Sequence, residues 1–324
     1  MNDKEIFINK HEEAPLMQLD DFTYPVNPYS FYYRSFDNKK LRIAMWNLRS
    51  TKGTILLQSG RTEFIEKYYE VIQEFIDRGF AVALMDWRGQ GLSDRTIKNK
   101  RLGHIDSFNE YDKDIELVLE EVYKKLCPKP WIGFGHSMGG CLLATNLIKN
   151  ESPYSALILC SPMLSMKVKK WIRFLAKSIA LLLPWLRPLP IFPPNWDEEK
   201  GWLKESFEKN GLTDDEYRFN RSYKLISSHP KIGVKGISLG WVNEAIKRTE
   251  ELKLLNWTNV SKPILLLSAN KDSLINSDEN ESLCASIKNI TIQRINGKHE
   301  LLMESNKLRE QTWNSIDKFL TKIL

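Results

Sequence analysis

The chain has 324 residues, 42% of them apolar, and its 47 basic against 41 acidic side chains leave a formal charge of +6. That apolar share suits a packed core and excludes a disordered chain, while the length suits one large α/β domain or a domain carrying an insertion. The 4 cysteines, Cys127, Cys141, Cys160 and Cys284, form no C-x-x-C pair, so free thiols in a reducing cytoplasm are expected rather than a disulfide framework or a zinc site.

In chain order, the first residues (Met1-Asn-Asp-Lys-Glu-Ile-Phe7) mix charges and lack an apolar stretch, so no secretory signal is expected. No later run reaches the ~18 to 20 apolar residues that cross a bilayer. Apolar runs with strand character then fall at 41–48, 54–59, 81–87, 131–134, 156–160, 263–268 and 290–295. Helical periodicities fill the gaps at 63–78, 107–126, 138–149, 278–287 and 305–324. The middle strands are continuously apolar rather than alternating, as parallel strands covered on both faces must be. This alternation predicts a mostly parallel, doubly wound α/β sheet whose ligands bind beyond the carboxyl ends of its strands. The rhythm breaks between about 162 and 256, where Trp, Pro and basic residues accumulate without a clear strand. The expected organisation is a core over 1–162, a helical cap insertion over 163–255, and the remaining core over 256–324.

The stretch Gly135-His-Ser137-Met-Gly139-Gly140 runs from an apolar strand into an apolar helix through a G-x-S-x-G turn. Such a turn strains the serine backbone and pushes its hydroxyl out of the fold, which makes Ser137 the expected nucleophile. A serine hydroxyl needs a base, and the base needs an orienting acid. Of the five histidines, His11 reads as solvated, His229 as a loop residue, and His104 as a structural hydrogen-bonding group bordering the site. His136 adjoins the serine but should point away from its hydroxyl. His299 follows the last strand and precedes the last helix, where a base belongs. Asp272 follows the preceding strand and is the expected orienting acid. Asp278 is the second choice, since it more naturally caps a helix. The expected oxyanion donors are the backbone N–H groups of Met138 and Arg61, the latter in the loop Ser59-Gly-Arg-Thr-Glu63. The Gly-rich turn Asp86-Trp-Arg-Gly-Gln-Gly-Leu-Ser93 lacks the ending of a phosphate loop and the spacing of a dinucleotide site, so it reads as structural.

With these residues in view, the chain resembles the α/β-hydrolase superfamily and, within it, the monoglyceride lipase and lysophospholipase L2-like family. The segments that carry the resemblance are Gly60-Arg-Thr-Glu-Phe-Ile-Glu-Lys-Tyr68, Asp86 to Ser93, Gly135 to Gly140, Lys271-Asp-Ser273 and Gly297-Lys-His-Glu300. The resemblance implies a cofactor-free Ser–His–Asp mechanism on monoacyl lipids. One departure stands out: the common family loop begins His-Gly, whereas this chain has Ser59-Gly60-Arg61, as in the lysophospholipase L2 branch. Arg61 therefore offers a cation beside the acyl site, either to receive a phosphodiester or to pair with Glu63 or Glu304 and shape the loop.

No acidic residue lies between Glu151 and Asp197, yet Lys167, Lys169, Lys170, Arg173, Lys177 and Arg187 do. Val168, Trp171, Ile172, Leu175, Ile179 and Leu182 recur beside them at helical spacing. The pattern fits a cap helix that packs over an acyl pocket or lies on an anionic lipid surface through Lys167, Lys169, Lys170, Arg173 and Lys177. No nucleic-acid-binding signature accompanies the charge. The expected function is a cytoplasmic serine ester hydrolase acting on a lysophospholipid or monoacylglycerol, peripheral on the inner face of the membrane, without metal or cofactor. A small-acyl carboxylesterase or thioesterase, an acyltransferase, and a non-catalytic binding module on the same fold are the alternatives.

Overall fold

The structure is a computed structural model that describes residues 3–149, 152–191, 196–197, 201–202 and 206–324. Its centre is a nine-stranded sheet. The strands are β1 (Glu12–Glu13), β2 (Tyr29–Arg34), β3 (Lys40–Trp46), β4 (Thr54–Gln58), β5 (Ala81–Met85), β6 (Trp131–His136), β7 (Ala156–Cys160), β8 (Ile264–Ala269) and β9 (Ile290–Ile295). They lie in the order β1-β2-β3-β5-β4-β6-β7-β8-β9. The first pairings, β1 with β2, β2 with β3 and β3 with β5, are antiparallel. From β5 to β9 every pairing is parallel. β4 to β8 are buried along their whole length, which is why their sequences are unbroken apolar runs. β9 closes the edge and is mostly exposed, with polar residues between its isoleucines.

The helices are α1 (Asp3–Asn9), α2 (Tyr69–Asp77), α3 (Phe108–Val118, continued by a π-turn to Tyr123), α4 (Met138–Lys149), α5 (Lys170–Leu182), α6 (Glu216–Ser228), α7 (Leu239–Leu254), α8 (Ser277–Cys284) and α9 (Asn306–Ile323). One sheet face packs on α2 and α9, where the Phe75 and Trp313 rings meet edge-on at 4.8 Å. The other face packs on α3 and α4 through residues such as Ile115 and Leu142, and α7 lies against α3 and α5. Side chains of Ser107, Asp215, Ser238 and Asn276 cap α3, α6, α7 and α8. The cap of α8 is thus Asn276, not the expected Asp278, which instead pairs with Arg294.

Seven expected strands are present. β1 and β2 lack the unbroken apolar run that marks the centre, β1 being two exposed glutamates and β2 a strand of mostly half-buried aromatics. Between β7 and β8 the chain carries α5, α6 and α7. It also has short strand pairs: Trp196–Asp197 with Gly201–Trp202, and Gly236–Ile237 with Leu102–Gly103. These two-residue pairings are too short to leave a periodic signal.

Candidate active site

The loops after β4, β6, β8 and β9 all leave the sheet at its carboxyl end. Backbone hydrogen bonds step across that edge: Ser137 N–H donates to Cys160 O (3.1 Å), Ser161 N–H to Leu267 O (2.8 Å), and Lys271 N–H to Gly297 O (2.9 Å). Residues distant in sequence are thereby held on one ledge.

Ser137 sits at the end of β6 with φ of 50°, in the left-handed region that a side chain rarely adopts. The bend is possible because its flanks are glycine. A Cβ on Gly139 would lie 2.2 Å from Gln58 O, and one on Gly135 would lie 2.6 Å from Gly140 Cα. Strand and helix therefore touch backbone to backbone, and only a residue without a side chain fits either place.

His299 and Asp272, expected as base and acid, are brought together. Their side chains are 3% exposed residues joined by a 2.6 Å hydrogen bond between His299 Nδ1 and Asp272 Oδ2. The other carboxylate oxygen accepts the N–H groups of Leu274 (2.8 Å) and Ile275 (2.9 Å). Burial alone would raise the Asp272 carboxyl, but these hydrogen bonds and the imidazole charge hold it below its ordinary value. A carboxylate so held keeps the His299 proton on Nδ1 and leaves Nε2 as a base.

The loop between β4 and α2 is clamped from below by the Gly-rich turn after β5. Gln90 Nε2 donates to Gly60 O (3.0 Å), Gln90 Oε1 accepts Thr62 N–H (2.8 Å), and Trp87 Nε1 donates to Ser59 O (3.0 Å). Thr62 pays for the tight turn with φ of 65°. The structural reading of that turn agrees with these contacts. The N–H groups of Arg61 and Met138 have no acceptor among the described residues.

Arg61 does not make the ion pair offered as one explanation of it. Glu63 is occupied by Lys67 Nζ (2.8 Å), Tyr68 Oη (2.6 Å), His136 Nδ1 (3.2 Å) and the Gly60 N–H. Glu304 accepts the N–H groups of Lys298 (2.7 Å) and Asp214 (2.9 Å).

The sequence reading missed this buried cluster behind the histidine. Lys67 bridges Glu63 to Glu300 (2.6 Å), the residue after His299, and the His136 ring lies 4.9 Å from the His299 ring. Burial opposes the Glu63 charge, yet Lys67 and His136 hold its carboxyl well below the ordinary value. Burial likewise opposes a charged His136, and Glu63 raises it above its ordinary value. The Glu63 to Lys67 spacing of one helical turn was a readable hint. The contact to Glu300 was not, being made between residues 233 positions apart.

Other histidines differ in their fates. His104 bonds Ser238 Oγ (2.8 Å) and Asp106 (3.1 Å), a structural role as expected. His229 bonds Gln18 O (3.0 Å). His11 is not simply solvated: it is half-buried, its ring tilted against those of Phe7, Phe31 and Tyr33.

The cap cations are less free than their sequence suggests. Lys167 Nζ donates to Asp272 O (2.6 Å), and Arg173 and Lys177 face Glu250 of α7 at 3.8 and 2.6 Å. The acid absent from the local sequence arrives from another helix. Lys169 is exposed, and the side chains of Lys170, Leu175 and Ile179 lie outside the described residues. Among the described apolar residues, Trp171 (62%), Phe174 (74%), Leu182 (69%) and Trp185 (68%) are exposed.

A mostly parallel sheet with a strained serine at its carboxyl edge, wrapped by helices on both faces, is the α/β-hydrolase fold. A soluble variant of monoglyceride lipase from Saccharomyces cerevisiae, solved with a substrate analogue, shares it: TM-score 0.70 at 16% identity, over 94% of this chain and 100% of the other. Within that fold, the family described as serine aminopeptidase, S33 matches residues 49–306, and the chain belongs to that family. It is 25% identical over 303 residues to lysophospholipase L2 of Escherichia coli, covering 90% of this chain and 86% of the relative. The probable lysophospholipase L2 of Haemophilus influenzae is 28% identical over 275 residues, covering 84% of each chain.

Proposed function

We propose that this chain is a carboxylic-ester hydrolase that cleaves the acyl ester of a single-chain lipid, a lysophospholipid or a monoacylglycerol, through an acyl-enzyme. Ser137 attacks the ester carbonyl while His299 Nε2 takes its proton. Asp272 fixes the imidazole tautomer and stabilises its cation. The N–H groups of Arg61 and Met138 receive the developing oxyanion. As it collapses, the ester C–O bond breaks and His299 returns the proton to the departing glycerol oxygen. The freed imidazole then takes a proton from the water that hydrolyses the acyl-enzyme, releasing the fatty acid and restoring Ser137. The observation that carries this reading is the 2.6 Å His299–Asp272 hydrogen bond on the same sheet edge as the strained Ser137. The lipid substrate is supported by relatives named lysophospholipase and by the exposed aromatic cap surface.

The deciding experiment combines fluorophosphonate labelling with mass-spectrometric profiling of lipid hydrolysis. Wild type should label at Ser137 and release fatty acid from single-chain lipids. Ser137→Ala should do neither while unfolding at the same temperature. Labelling without lipid turnover, together with hydrolysis of short soluble esters, would replace the lipid reading with that of a small-acyl esterase.

The same reading extends to the membrane. The α5 surface meets lipid through its aromatic side chains more than through its cations. Fully burying one such side chain is worth about 1.5–3 kcal/mol, against about 1 kcal/mol for each basic residue held near an anionic surface. Two of those cations already share Glu250.

A further inference from the structure

Buried arginines in this protein are matched by carboxylates. Arg42 holds Glu66 and Asp86, Arg88 holds Asp114, Arg248 holds Asp112, and Arg309 holds Glu70 and Glu74. Arg61, which is half-buried, differs from them, as does Arg101, whose Nη1 is likewise enclosed without a partner. The Arg61 Nη1 is enclosed with no hydrogen-bond partner, and no acidic side chain among the described residues pairs with it. The two acids near enough in sequence or space to be expected, Glu63 and Glu304, are committed elsewhere. One face of the guanidinium stacks on Trp241 of α7, 5.3 Å from the ring centroid. Stacking engages the face of the fork and leaves its enclosed, in-plane Nη1 donor unmatched.

An enclosed cation without a counter-charge is costly, and removing it would ordinarily stabilise a fold. Burial depresses the Arg61 guanidinium to about 10, so it remains charged at neutral pH. Its position narrows what the missing partner is. Arg61 belongs to the loop whose own N–H faces the proposed oxyanion position, and its side chain reaches from there toward the cap. A phosphodiester joined to the scissile ester through one glycerol unit brings a permanent negative charge to that neighbourhood. A monoacylglycerol brings only hydroxyls. The planar fork matches phosphate oxygens with two parallel hydrogen bonds.

We infer that Arg61 is the receptor for a phosphate oxyanion, supplied by the head group of a lysophospholipid, and so sets the preference of the site for that lipid over neutral monoacylglycerols. The inference rests on the reading of the site as a lipid-ester hydrolase.

The test compares kcat/KM of wild type, Arg61→Met and Arg61→Lys on a lysophospholipid and a monoacylglycerol of the same acyl chain. The ratio of the two values should fall about tenfold to a hundredfold in Arg61→Met, the range of a lost charged hydrogen bond, and less in Arg61→Lys. A ratio unchanged within about twofold would overturn the inference. A second measurement is independent of turnover. In the Ser137→Ala background, an ether-linked lysophospholipid should bind more tightly than the matching alkylglycerol, and Arg61→Met should abolish the difference. Inorganic phosphate alone binding as well as the ether lipid would mean a free-anion site and overturn the head-group assignment. Ligand-free Arg61→Met should melt no lower than wild type, because it removes an enclosed Nη1 donor that has no partner; a clear loss of stability would mark the arginine as structural. Wild-type protein that turns over neither lipid but cleaves a short ester would refute the lipid-hydrolase reading itself, whatever the Arg61 variants do.

Discussion

The Asp272 carboxylate accepts an imidazole and two backbone N–H groups, so its place is set from three directions. Asp272→Asn preserves that geometry but reverses the hydrogen-bonding sense toward His299. Turnover should drop by about 10⁴ with little change in melting temperature, as for a triad whose tautomer is lost. His136 and Glu63 act one layer behind. Because Glu63 raises the folded His136 above its ordinary value, His136 contributes stability that is fully present below about pH 6.5 and lost as pH rises through the folded value. The stability gap between wild type and His136→Gln, read from denaturant midpoints, should therefore be wider near pH 6 than near pH 9. A gap independent of pH would show that His136 does not carry a proton beside Glu63. Ser137, Asp272 and His299 stand out in the sequence because each follows a recognisable strand. The Glu63–Lys67–Glu300 cluster does not, since charged residues in sequence look solvent-facing and only the fold reveals that their side chains are enclosed.

At the scale of elements, two features invite measurement. Arg42 on β3 spans to Glu66 at 2.6 Å and Asp86 at 2.7 Å, all three fully buried, and so ties the loops after β4 and β5 to the antiparallel half of the sheet. Arg42→Ala strands two carboxylates in the core and should destabilise by about 3–5 kcal/mol, read as a lowered urea midpoint. The α5 region presents Trp171, Phe174 and Trp185 to solvent. Changing these three to Ser should abolish co-sedimentation with vesicles and activity on lipid aggregates while sparing a short soluble ester. Reversing Lys169 should matter less, and raised salt should weaken wild-type binding only modestly, because screening acts on charges and not on buried apolar area. Binding that vanishes in salt and survives the Ser substitutions would return the weight to the cations. Helical spacing announced this helix but not the direction of its apolar stripe, because periodicity says that a face exists without saying what it meets.

For the whole molecule, local chemistry in the sequence was enough for much of the outcome. Unbroken apolar runs marked the parallel strands, 3.6-residue periodicity marked the covering helices, and the Gly-x-Ser-x-Gly turn marked the elbow, since each depends on neighbours a few residues away. The strand order, which sets β4 beside β6 and aligns β6 to β9, belongs to the tertiary structure. So does the meeting of Asp272 with His299, which needs β8 and β9 in parallel register. Charge balance was decided there too. Glu250 answers the cap cations from another helix, and Glu63 turns from Arg61 to Lys67 and His136. An ion pair depends on distance in space, and a linear chain records only distance along itself. Arg61 Nη1 is left without a hydrogen-bond partner among the described residues for the same reason: the fold commits Glu63, two residues on, to Lys67 and His136, and the distant Glu304 to Lys298 and Asp214.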